Sequence, residues 1–167
     1  MEAILLRPHH VLDIVTDYKP DEDPAYKRAP GENNVRTLAR RMGQSLDIEA
    51  RFVVGPDFIC APCSHLRPDG SCDRILERHD PPEAMDHYNN PLDRRVLGYL
   101  SIAPGTVMTI RAFLEAVNER VPGIEDICTH PGQQRSARLA GLISGLIALG
   151  VRPPALHADA EAGSGQS

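Results

Sequence analysis

The chain switches between two periodicities. Residues 3–6 form a short apolar run that reads as a strand. Pro8 then opens a segment in which Val11, Leu12, Ile14 and Val15 fit one face of a short helix beginning at His9-His10. Residues 19–30 are polar and carry three prolines, so they read as a loop or flap. Residues 31–45 resume a helical period, with Val35, Leu38, Ala39 and Met42 inward. Residues 47–54 alternate through Ile48, Ala50, Phe52 and Val54, the period of a half-buried strand, which Gly55-Pro56 ends.

The second half reads as mostly helical. Residues 75–78 continue as a helical turn. Residues 82–87 and 92–100 read as two helices separated by Asn89-Asn90-Pro91. After the Ala103-Pro104-Gly105 turn, Thr106 or Thr109 caps a helix running to about Arg120, with Ile110, Phe113, Leu114 and Val117 on one face. A loop over 125–132 holds Cys128. Residues 133–149 give the strongest helical period, and Gly150 is placed to cap it. Ala137, Gly141 and Gly145, four apart, leave room for another backbone. Arg135 and Arg138 favour a helix buried in a globular core over a membrane dimerisation face. The expectation is a predominantly helical α+β fold with few short strands. It forms a single compact domain over residues 1–153, with a metal centre joining two loops and a disordered tail over 154–167.

Composition changes this outline little. With no Trp and 4% aromatic residues, the core must rest on aliphatic side chains. The formal net charge of −5 argues against a broad grip on nucleic acid, and the Arg40-Arg41 and Arg94-Arg95 pairs read as solvated helix faces. No apolar run reaches the roughly 18 residues of a membrane span. Glu2 and the brevity of the first apolar run do not fit a signal peptide. The expected location is therefore cytoplasmic, where thiols stay reduced and clustered cysteines point to metal rather than to disulfides.

The candidate chemistry lies in those cysteines. Cys60-Ala61-Pro62-Cys63 is a C-x-x-C element, and Cys72 follows a turn at Pro68-Asp69-Gly70, so three thiols fall within thirteen residues. Cys128 must return from a distance. Four soft thiolates suit an iron–sulfur cluster, with [4Fe–4S] the expected form, or tetrahedral zinc as the alternative. A zinc ribbon would carry a second C-x-x-C, whereas Pro131 stands at the matching place after Cys128. His130 is an alternative donor for a Cys₃His zinc site. If only Cys60, Cys63 and Cys72 ligate, one iron stays open as a Lewis acid. His9, His10 and His130 then become candidate catalytic groups for acid–base work on a small molecule, in a lyase or desulfidase. Adjacent helical residues point about 100° apart, so His9 and His10 are expected to face different surroundings. Asp57 and Asp126 each precede an Ile-Cys pair, as loop caps or as groups orienting ligands. His65, His79 and His87 read as surface residues.

Three segments carry a family resemblance. They are Leu5-Leu6-Arg7-Pro8-His9-His10-Val11-Leu12, the stretch from Gly55-Pro56-Asp57 through Cys60-Ala61-Pro62-Cys63 to Cys72, and Glu125-Asp126-Ile127-Cys128. Together they resemble the domain of unknown function 1284 family, small bacterial and archaeal proteins described as iron–sulfur binders. The third segment of that family's pattern carries a second cysteine shortly after the first, where this chain has Thr129-His130-Pro131. The resemblance implies cluster binding by Cys60, Cys63, Cys72 and Cys128 and imports no reaction. Taken together, the residues predict an electron-transfer protein or a cluster-dependent enzyme component, working with a redox partner protein or a small-molecule substrate. The alternative is a zinc-stapled, non-catalytic interaction module.

Overall fold

The computed structural model describes residues 2–21, 33–128 and 134–154. The expectations for the 154–167 tail beyond Pro154, for His130 and for most of the 19–30 loop fall outside them.

A three-stranded sheet, β1 (Ile4–Leu6), β2 (Glu49–Phe52) and β5 (Val107–Thr109), lies in the order β1-β2-β5. β1 pairs with β2 in parallel, Leu6 opposite Phe52, and the connection between them contains α1 (Pro8–Thr16) and α2 (Val35–Gln44). β5 closes the other edge antiparallel, Ala50 opposite Met108. Ala50 and Phe52 are buried while Glu49 and Arg51 face out, as the alternation along β2 requires. α4 (Ile110–Asn118) buries Ile110, Phe113, Leu114 and Val117, and Phe113 stacks on Phe52 with ring centroids 4.1 Å apart. Thr109 caps this helix, its Oγ1 accepting the Ala112 N–H at 3.1 Å. The result is the predominantly helical α+β domain expected.

α5 (Arg135–Ala148) packs on α1 through the small residues noted above. A methyl group at Gly145 would run into the Val15 carbonyl, and one at Gly141 into that of Thr16. The small-residue face is therefore a close helix contact inside the domain. α5 ends in a Schellman motif: Gly150, at φ +71°, donates to the Ile147 carbonyl and Val151 to that of Leu146. Among the described residues no helix is long and apolar enough to cross a membrane.

Two expectations are corrected, and one strand is added that the sequence did not show. Residues 75–78 do not continue a helix, because β3 (Ile75–Leu76) pairs with β4 (Glu83–Ala84) as a small hairpin. Pro81 and Pro82 close off a helical continuation, and the Met85 N–H bonds back to the Arg74 carbonyl at 2.9 Å. Residues 82–87 and 92–100 do not form two helices. α3 (Met85–Tyr99) runs through Pro91, with Asn90 and Asp93 on either side of it held by tertiary bonds to Arg7. β5 was not visible as a strand, since its three residues borrow their conformation from β2.

Candidate metal centre

The site begins where β1 meets α1. Asp57, buried at the entrance of the cysteine loop, is an anchor for both. Its Oδ2 accepts the Arg7 backbone N–H at 2.8 Å and faces His10 Nδ1 at 2.9 Å. Its Oδ1 accepts the N–H groups of Ile59 at 3.0 Å and Cys60 at 3.1 Å. Burial alone would raise this carboxyl. The His10 contact and the amides of Arg7 and Cys60 outweigh burial and hold Asp57 below the usual carboxylate range. The β1 edge reinforces the entrance, since the Phe58 N–H bonds to the Leu5 carbonyl at 2.9 Å. Asn34, just before α2, closes it from the other side: its Nδ2 donates to the Phe58 carbonyl at 2.8 Å.

Beyond Cys60 the loop turns on itself. Cys63 N–H bonds to the Cys60 carbonyl at 2.8 Å, and Leu66 N–H to that of Cys63 at 3.0 Å. The chain reverses at Pro68-Asp69-Gly70, and Cys72 returns to bridge Leu66. His65 and Asp73 clasp the ends of the reversal at 2.7 Å. The Cys72 N–H donates to Asp86 Oδ2 at 2.7 Å, which fixes the third thiol to the start of α3.

Arg7 connects these anchors. Its Nε donates to Asp93 Oδ2 at 2.6 Å and its second terminal nitrogen to Asn90 Oδ1 at 2.6 Å, while Asp86 lies 3.7 Å away. Arg7 is 3% exposed and Asp93 fully buried. One arginine thus reaches the Cys60 end of the loop through its backbone and the Cys72 end through Asp86. Asp93 also holds His9, Oδ1 to Nδ1 at 2.6 Å. Burial would raise Asp93, but His9 and Arg7 together keep it low. His9 is itself pushed below the ordinary imidazole value, chiefly by burial and by neighbouring His10. Ionised Asp57 and Asp93 accept but cannot donate, so both imidazoles carry their proton on Nδ1. On each ring that leaves Nε2 as the nitrogen able to accept a proton or a cation.

All four cysteines line one cavity of about 300 Å³, and His9 and His10 line it too, with ring centroids 4.3 Å apart. The expectation that the two histidines face different surroundings is therefore corrected: different carboxylates hold them, Asp93 for His9 and Asp57 for His10, yet both rings line the same cavity. Cys128 enters after a 3₁₀ turn (Ile124–Asp126), with its Sγ 3.7 Å from the Tyr88 hydroxyl. No disulfide joins the four cysteines. Burial, then the nearby Asp57 charge, pushes the Cys60 thiol up to about 12, and burial with Asp86 raises Cys72. Both are protonated at neutral pH, and a cation bound between them would displace those protons. The donor set, four soft thiols with two imidazoles beside them, fits a thiophilic metal or cluster.

Among the described residues, the three potential ligands whose donor atoms all lie within 4.8 Å of one another are His10, Asp57 and Cys60. No three of the thiols converge to that degree.

The remaining sequence candidates divide. The Asp57 and Asp126 echo is not a structural one: Asp126 pairs with Arg135, and neighbouring Glu125 accepts the Gly123 N–H at 2.6 Å. His65 is exposed. His79 is not a simple surface residue, since it bonds Glu83 at 2.5 Å and packs edge-on against Tyr88. Arg7, Asp86, Asn90 and Asp93 were missed as site residues. The available signal was an arginine between an apolar strand and Pro-His-His, where a charge cannot face solvent on both sides.

Fold and site together define a small helical α+β domain built around a cysteine- and histidine-lined cavity. The chain belongs to DUF1284, a family described as protein of unknown function, whose sequence profile matches residues 32–132 and so takes in all four cysteines. No curated protein and no solved structure matches it.

Proposed function

We propose that the cavity holds an iron–sulfur cluster, of [4Fe–4S] type, on the thiolates of Cys60, Cys63, Cys72 and Cys128. On this reading the protein is an electron-transfer protein or the cluster-bearing component of an enzyme, working in a reducing, cytoplasmic setting with a redox partner or a small-molecule substrate. The observation that carries it is that every cysteine of the chain lines one cavity of about 300 Å³. Zinc is less well served. Four thiolates at the usual Zn–S length of about 2.3 Å stand about 3.8 Å apart, whereas no three of these thiols lie within 4.8 Å of one another. A body with its own volume suits thiols spread around a wall.

When bound, such a cluster supplies one-electron chemistry and, if one iron is left open, a Lewis acid. The protein's part is separate. Arg7, Asp57 and Asp86 set the positions of Cys60 and Cys72 before anything binds. His9, held in one tautomer by Asp93, offers a basic nitrogen to whatever shares the cavity.

Iron and acid-labile sulfide analysis of anaerobically purified or reconstituted protein tests the proposal. The expected result is a brown protein with iron and sulfide in equal amounts, both lost in Cys60→Ser and Cys63→Ser. A colourless protein containing equimolar zinc would overturn it.

A further inference from the structure

The three-residue set of His10, Asp57 and Cys60 mixes roles that can be separated by counting lone pairs. An ionised carboxylate has about four acceptor sites. Those of Asp57 are taken by the Arg7, Ile59 and Cys60 amides and by His10 Nδ1. Asp57 therefore has no lone pair left for a metal. His10 is in the opposite position: with Nδ1–H spent on Asp57, its Nε2 lone pair is uncommitted to that anchor. A carboxylate that fixes the tautomer and ring orientation of an imidazole is the usual support of a metal-bound histidine. Cys60, whose donor atom lies within 4.8 Å of a His10 ring nitrogen, hangs from the same carboxylate. One carboxylate thus holds both a histidine and a cysteine that line the cavity.

Cys128 contrasts with them. It is the one cysteine outside the 60–72 loop, and its thiol lies 3.7 Å from the Tyr88 hydroxyl.

We infer that His10, through Nε2, is a direct metal ligand of this centre, competing with Cys128 for one of the four cluster positions while Cys60, Cys63 and Cys72 hold the other three. The inference rests on the proposed function for the identity of the metal, but not for the identity of the ligand.

Two measurements test it. In the first, the reduced cluster is prepared in protein labelled with ¹⁵N-histidine and examined by pulsed electron paramagnetic resonance. A directly bonded nitrogen is expected, lost in His10→Ala and retained in His87→Ala and Cys128→Ser. In the second, the metal-free protein is titrated with cobalt(II) alone. His10→Ala should weaken binding at least tenfold and shift the visible bands, His10→Cys should restore affinity by supplying a thiolate, and the exposed His87→Ala should leave both unchanged. Circular dichroism on each variant checks that the fold is kept. Absence of nitrogen coupling in a well-formed cluster, or cobalt binding indifferent to His10→Ala, overturns the inference. Cobalt binding that depends on His10 in a protein that never takes up iron and sulfide would keep the inference and sink the proposed function.

Discussion

The two walls of the cavity are built differently. The histidine wall, from Arg7 to His10 and across to Asp93, is made of buried charges whose partners are all supplied by the protein. Asp93 alone takes the Arg7 guanidinium, the His9 ring and the His9 amide. The thiol wall from Cys60 to Cys72 is made of short backbone turns, and its side chains are half-exposed. Its sulfurs do not gather in threes, and the thiols of Cys60 and Cys72 are held in their protonated form by burial. One wall is complete on folding. The other is positioned by its turns, and on the proposed reading its thiol protons leave when a cation binds. On that reading a preformed polar wall, joined to an adaptable soft one through Asp57, fixes where a metal goes without tying the fold to its presence.

That contrast is most severely tested at Asp93. Asp93→Ala leaves the Arg7 guanidinium buried beside an empty space and releases His9. Breaking a buried pair in this way costs about 3–5 kcal/mol. Chemical denaturation of the metal-free protein should show a loss of this size. If the loss were under about 1 kcal/mol, the histidine wall would not be the rigid half.

The same wall should carry an acid sensitivity. His9 titrates below its ordinary 6.5 in the folded state and Asp93 below its ordinary 3.8. In both cases the unfolded chain binds the proton first, so stability rises with pH. The His9 contribution is complete above about 6.5 and is lost as pH falls through its lower folded value. The Asp93 contribution persists to below about 4 and is then lost in turn. Denaturation midpoints of metal-free wild type should therefore fall in two stages on acidification, and the first stage should vanish in His9→Ala.

Gly145→Ala probes how the wall is backed. The added methyl meets the Val15 carbonyl at the end of α1, so α5 must move away from the helix that carries both histidines. Overpacking of this kind costs about 1–3 kcal/mol. The loss should appear in thermal unfolding, together with weaker metal uptake, although the substitution touches no ligand.

The two walls also differed in how far they could be read from sequence. The thiol wall was legible almost entirely: C-x-x-C, the Pro68-Asp69-Gly70 reversal and Cys72 are local features, and local chemistry is what spacing encodes. So were the buried faces of α4 and α5 and the glycine cap of α5. The histidine wall was not. Its bonds join residues 86 apart at Arg7 and Asp93 and 50 apart at Arg7 and Asp57. A period that assigns charges to the solvent side of a helix hides Asp93, which lies beside Leu92 on the buried face of α3. The same tertiary bonds explain why Asn89-Asn90-Pro91 read as a break: Arg7 holds Asn90 and Asp93 together across a proline that would otherwise favour an end to the helix. Two-residue strands such as β3 and β4 carry no periodicity at all.

The smallest expected effect lies on the other wall and completes the comparison. Cys63 is half-exposed and its backbone, not its thiol, makes the Cys60–Cys63 turn. Cys63→Ser in the metal-free protein should therefore change stability by no more than about 0.5 kcal/mol, the range of a surface substitution. In the metal-loaded protein the same change should remove most of the stabilisation that metal adds, because a ligand that binds only the folded state stabilises in proportion to the logarithm of its occupancy. The measurement is a pair of denaturation curves, with and without metal, for wild type and variant. A variant already unstable without metal would mean that the thiols support the fold themselves, and the division of labour between the walls would be lost.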